Sequence, residues 1–166
     1  MLSVLIISAR WEREADSVDS DPQDIDPLAL QNQVCFSLAV AARTVIGLYR
    51  PVLEPLGLTH PQYLVMLALW ERAPRSLADL GAALHLEPAT LSPLVKRLEA
   101  TGCVTRARST EDERRLDVAL TPSGAALRER ALQVPPRIVE RLDLPLDELT
   151  AVRDALTRLI GAATGP

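Results

Sequence analysis

Between Gly102 and Thr121 the spacing of apolar residues drops from about 3.6 to 2 and then returns. CVTRAR (103–108) and RLDVAL (115–120) alternate apolar and polar side chains, with the charged STEDER between them. Such alternation turns one face of a strand to a core and the other to water. The two runs therefore predict a β-hairpin with a charged tip. Helical patterns flank it. SLADLGAALHL (76–86) predicts a short helix with Ser76 at its N-cap and Asp79 three residues on, a capping box with Asp in place of Glu. EPATLSPLVKRLEATG (87–102) predicts a second, opened by Pro88 and closed by Gly102. Pro93 removes one backbone hydrogen bond near its start. After the hairpin, LTPSGAALRERAL starts a helix with Thr121 as N-cap and Pro122 at its first position.

Two short helices, a tight turn and a charged hairpin predict a winged helix-turn-helix: mainly α, with a small β-hairpin wing. The rest of the chain is helical in pattern. Leu28, Val34, Leu38, Val45 and Leu48 recur at helical spacing, with Asp26 and Pro27 placed to start that helix and Pro51 and Pro55 to kink or end it. Thr59 and Pro61 start the next, in which YLVMLALWE is apolar nearly all round. A helix of that kind is buried, so Tyr63 and Trp70 are expected in the core. Pro135 and Pro136 interrupt the helix after the hairpin. A last helix near residues 145–162 aligns Leu146, Leu149, Val152, Leu156, Leu159 and Ile160 on one stripe. Residues 1–26 lack a helical period, are rich in Asp and Pro, and predict an acidic arm. Residues 27–166 form one domain, with the winged helix-turn-helix at 59–121.

Composition excludes several classes. The two cysteines, Cys35 and Cys103, lie far apart with no CxxC, which argues against a disulfide framework, a structural zinc site or a thiol oxidoreductase, and no enzyme activity is expected. His60 and His85 lack partners at ligand spacing, so no metal and no cofactor is expected. Free thiols suit a reducing cytoplasm. The apolar run near the N-terminus has no basic region before it and no small-residue cleavage site, and is too short to span a membrane. The formal charge of −4 argues against nucleic acid, but its distribution reverses that. The first 30 residues carry seven acids against Arg10 and Arg13, whereas residues 72–116 carry eight bases against six acids.

That local positive charge belongs to the predicted helix-turn-helix. Pro88, Thr90 and Ser92 lie in the first half of the second helix, where hydroxyls reach base edges or phosphates. Lys96 and Arg97 are placed for phosphate, and Arg106 leads into the wing. At the tip, Asp112 is expected to hold Arg114 extended by a charge-assisted hydrogen bond, beside Arg115. An arginine held that way enters a narrow minor groove. The plain alternative is a solvated turn whose ion pairs contribute little.

The stretch LADLGAALHLEPATLSPLVKRLEATGCVTRARSTEDERRLDVALTPSGAAL resembles the MarR family of bacterial transcription regulators. LQNQVCFSLAVAARTVIGLYRPVLEPLGLTHPQYLVMLALWE resembles its organic hydroperoxide-sensing branch. The likeness covers residues 28–160. It implies a homodimer through interleaved N- and C-terminal helices, here 27–57 and 122–166, and a near-palindromic double-stranded DNA operator. It also implies that Cys35 is the peroxide-reactive thiol and that Tyr49 reaches the cysteine of the other subunit. His60 stands where the branch has a second tyrosine. Asp112 and Arg114 match the wing pair, and no resolving cysteine matches, so a small thiol is the implied partner for a mixed disulfide with Cys35. Polar neighbours near a helix N-terminus favour a thiolate there. A different regulator of the same fold, gated by a phenolic or lipophilic ligand, would leave Cys35 as packing.

Overall fold

The computed structural model describes residues 26–108 and 116–165. The acidic arm up to residue 25, and Asp112, Arg114 and Arg115 at the wing tip, lie outside the described residues. The helices are α1 (Val34–Leu53), α2 (His60–Glu71), α3 (Leu77–Leu84), α4 (Pro88–Ala100), α5 (Pro122–Ala131), α6 (Val134–Leu142) and α7 (Leu146–Ala163). The strands are β1 (Arg75–Ser76), β2 (Val104–Arg108) and β3 (Leu116–Leu120). Two units divide between Ala42 and Arg43, inside α1. The first holds the start of α1 and the 3-10 turn Leu30–Asn32 before it; the second runs from Arg43 onward.

Helix α1 starts seven residues later than the expected Pro27. Asp26 caps a turn instead: its carboxylate accepts from the Leu28 N–H at 2.9 Å and its carbonyl from Asn32 Nδ2 at 2.8 Å. The Gln33 amide likewise donates to the Pro27 carbonyl. These side chains compete with helical hydrogen bonding, and extended backbone at Ala29 and Gln33 brackets the turn. Pro51 does not end α1, which runs two residues further. The helix after the hairpin breaks at Leu132 and Gln133, just before Pro135 and Pro136, as the sequence predicts. The two prolines occupy the first turn of α6, where a missing N–H costs nothing.

The core lies within the second unit. Leu53, Val65, Met66, Leu69, Leu80, Leu91, Val95, Leu98, Val104, Val118 and Val134 are almost completely buried. Each such side chain contributes about 1.5–3 kcal/mol relative to exposure. Helix α2 supplies six buried positions, with only Leu67 of its apolar residues open to solvent. Its capping box is Thr59 with Gln62, whose Oε1 accepts from the Thr59 N–H at 2.9 Å. At α3 the box is Ser76 with Asp79, as the sequence predicts.

The sheet has the antiparallel order β1-β3-β2, with Arg106 opposite Val118 in the hairpin and Arg75 opposite Val118 on the other side. Strand β1 adds a third strand to the predicted hairpin; two residues are too few to show a period. Helix α4 passes into β2 through a Schellman turn. Gly102 takes φ 75°, its N–H donates to the Glu99 carbonyl at 2.9 Å, and Cys103 N–H donates to Leu98 at 2.9 Å. The result is a winged helix-turn-helix. Thr121 joins the wing to α5: its Oγ1 accepts from Gly124 N–H at 2.9 Å and lies 2.6 Å from the Gly102 carbonyl. Thr121→Ala is expected to lower stability by about 1 kcal/mol through the lost cap, read as a shifted urea midpoint at fixed protein concentration.

Candidate functional site

Helix α4 is divided cleanly between core and water. Leu91, Val95 and Leu98 are fully buried, while Pro88, Thr90, Ser92, Lys96 and Arg97 are all exposed. The apolar positions recur at helical spacing, so burying them turns the hydroxyls of the first two turns and the two bases outward together. The five residues picked from the sequence for this helix therefore share its open face.

The bases of the 72–116 segment are not equally free. Arg75 is buried, with Nε donating to the Arg72 carbonyl at 3.0 Å and Nη2 to Glu71 at 2.6 Å. Arg106, expected to face DNA from the strand leading into the wing, pairs with Glu99 of α4. Glu99 Oε2 accepts from Nε at 2.9 Å and Nη2 at 2.5 Å, and Oε1 accepts from the Arg106 backbone N–H at 3.2 Å. Hydrogen bonding to Arg106 holds the Glu99 carboxyl below the usual range, and the pairing raises Arg106. The contact joins residues seven apart across a turn, and no residue pattern announced it.

Cys35 is exposed and is the second residue of α1. Its N-terminal neighbours Gln31 and Asn32 are exposed, and Gln33 is tied to Pro27. Cys103 differs. It packs partly buried against the core, its N–H is spent on the Schellman turn, and Thr101 Oγ1 lies 3.6 Å from its sulfur.

Tyr49 and His60, picked from the sequence at separate positions, meet edge to face with ring centroids 4.8 Å apart. Tyr63 lies 6.1 Å from Tyr49, and Trp70 6.3 Å from Tyr63, so an aromatic row runs along α2. Burial raises the Tyr49 pKa, keeping its hydroxyl a proton donor at neutral pH. Burial lowers the pKa of His60. On acidification the unfolded chain takes up that proton first, so stability is expected to fall as pH drops through the ordinary value of 6.5. His60→Phe should flatten that part of a urea-midpoint-against-pH curve. Beside the pair, Ile46, Arg50, Leu58, His60 and Pro61 line an open cavity of about 570 Å³.

Several apolar side chains are left uncovered in one chain. Leu28 and Val34 in the first unit are well exposed, as are Leu146, Val152, Leu156, Leu159 and Ile160 along α7. The segment Val34–Leu56 is long and apolar enough to cross a membrane by length and composition, with mean hydropathy 1.3. Among the described residues no cluster of His, Cys, Asp and Glu suits a metal ion.

The chain is similar to known proteins in both sequence and structure. A family model described as transcriptional regulator SarA/Rot matches residues 47–130. The organic hydroperoxide resistance transcriptional regulator of Bacillus subtilis is 38% identical over 135 residues, 81% of this chain and 92% of that protein. The HTH-type transcriptional regulator TtmR of Methylorubrum extorquens is 40% identical over 143 residues, 86% of this chain and 73% of that protein. Among solved structures, reduced AbfR bound to DNA superposes with a TM-score of 0.67 at 37% identity, over 81% of this chain and 94% of that one; AbfR comes from Staphylococcus epidermidis.

Proposed function

We propose, from the premise that the chain belongs to the MarR family of winged-helix transcriptional regulators and to its organic hydroperoxide branch, that it is a dimeric cytoplasmic repressor released from its operator when Cys35 is oxidised. The observation that carries the redox reading is a free, exposed cysteine in the first turn of α1. The DNA reading is supported by the open face of α4 beside the wing.

In this reading Thr90 and Ser92 face base edges in the major groove, with Pro88 at the helix start, and Lys96 and Arg97 meet phosphate. Arg114, oriented by Asp112 and flanked by Arg115, enters the minor groove. The exposed stripes of α1 and α7 are covered by a second copy, which accounts for the apolar length of Val34–Leu56 without a membrane. As the branch that the chain resembles implies, the Tyr49 hydroxyl meets the Cys35 of the other chain. His60 holds that tyrosine edge-on.

The chemistry is brief. The Cys35 thiolate attacks the outer oxygen of a hydroperoxide, an S–O bond forms, the O–O bond breaks, and the alcohol leaves with a proton. A small cellular thiol then attacks the sulfenic acid, forming a mixed disulfide and releasing water. Polar bulk added at an apolar dimer seam displaces the wings from the spacing that two half-sites require.

The 570 Å³ cavity beside His60 favours one second reading, release by a phenolic or lipophilic ligand with Cys35 as packing. The test is operator release from a duplex that the protein itself selects out of a random pool. Cumene hydroperoxide should release it and salicylate should not; the reverse outcome would establish the ligand-gated reading. Arg114→Ala is expected to weaken operator binding by about 1–3 kcal/mol, and unchanged affinity in a gel-shift titration would remove Arg114 from the interface.

A further inference from the structure

We infer that Glu99 is a positioning residue for DNA binding: its carboxylate grips Arg106 by backbone and side chain together, sets the wing against α4, and withholds the Arg106 guanidinium from phosphate. This rests on the DNA-binding reading above.

Glu99 stands in the last turn of α4, immediately before the Schellman turn that leads into β2. Strand β2 is an edge of the sheet. The Arg106 N–H points out of the ladder and donates to Glu99 Oε1 at 3.2 Å, so the carboxylate sits where a further strand would pair. Oε2 takes Nε and Nη2 of the same residue at 2.9 and 2.5 Å. One carboxylate thus fixes both the position of the strand and the direction of its side chain. A single hydrogen bond would leave β2 free to pivot about Gly102. Three bonds to one residue do not.

Stability is not the reason for such a contact. Both side chains are partly open to water, and surface ion pairs contribute little to folding. The contact matters for geometry, because the wing and the open face of α4 address different grooves of one duplex. It also matters for charge. An arginine already neutralised by a carboxylate does not neutralise a phosphate, and so frees none of the cations condensed on DNA. Arg106 is therefore subtracted from the bases available to DNA, leaving Lys96 and Arg97 among those of α4.

The experiment measures affinity over a salt series, on the selected operator and on an unrelated duplex, for the parent, Glu99→Gln, Glu99→Ala, Arg106→Ala and the double alanine variant. Urea midpoints check folding, and Glu99→Gln keeps the shape and one acceptor for the Arg106 N–H. Glu99→Ala is expected to cut the ratio of operator to unrelated affinity roughly tenfold, the scale of one misplaced groove contact. The salt dependence on unrelated DNA should steepen by about one phosphate in that variant. Arg106→Ala should leave that slope as in the parent, and the double variant should restore it. Glu99→Gln should lose less of the ratio than Glu99→Ala. A parent-like ratio for Glu99→Ala would overturn the proposal. So would an Arg106→Ala slope shallower by one phosphate, which would put Arg106 on the backbone. A parent that enriches no duplex at all would instead sink the DNA-binding reading, which is a separate failure.

Discussion

Cys35→Ser is expected to bind operator DNA with the parent's affinity and to keep it bound through a dose of cumene hydroperoxide that strips the parent completely. Serine has nearly the shape of cysteine, and Cys35 lies in the first turn of α1 rather than on α4. What is lost is the nucleophile, since a hydroxyl does not attack the peroxide bond as a thiolate does. Cys103→Ser should respond as the parent does, because that thiol packs against the core at the end of a Schellman turn. Tyr49→Phe should slow release without abolishing it, since a hydrogen bond to a charged group is worth about 1.5–3 kcal/mol. Release followed in parallel by fluorescence anisotropy decides this. A Cys35→Ser protein that let go of DNA as readily as the parent would make Cys35 a packing residue.

Gly124→Ala should be the most damaging single-methyl change in the described chain. A Cβ built there meets the Cys103 carbonyl oxygen at 1.9 Å and its carbon at 2.8 Å, both backbone atoms. No rotamer relieves that contact, so α5 must shift off the end of α4. Three features anchored at this point move with it: the Thr121 cap, the Trp70 hydrogen bond and the start of β2. Overpacking of this kind costs about 3 kcal/mol. A urea melt at fixed protein concentration reads the loss, and a midpoint within error of the parent's would show that the helix start yields easily.

Much of this fold was written in local signals. Ser76 with Asp79, Pro88 and Gly102, and Thr121 with Pro122 each mark a helix end, and each is found there. These signals act over three or four residues, which is the range a single sequence exposes. Thr59 is found as the cap that the sequence predicts, and Gln62 completes a capping box with it. The start of α1 was misread because Asp26-Pro27 is a good helix opening in isolation. What defeats it is Asn32 and Gln33 reaching back six residues to backbone carbonyls. Strand β1 was invisible because its partners lie more than forty residues away and it has only two residues. In the candidate site, the exposed set on α4 followed from periodicity. The meeting of Tyr49 and His60, and the capture of Arg106 by Glu99, did not, because tertiary contacts of this kind leave no spacing rule behind.

The hydrogen bond from Trp70 Nε1 to the Gly124 carbonyl, 2.9 Å long, has a practical consequence. The chain has two tryptophans, and the other is Trp11. With Trp11 replaced by Phe, every photon of indole emission would come from a ring that spans the joint between α2 and α5. The colour of that emission depends on whether the N–H keeps its carbonyl or turns to water. On the proposed mechanism, that emission would report any movement between α2 and α5 that follows oxidation of Cys35, and stopped-flow mixing with peroxide could follow it without any attached dye.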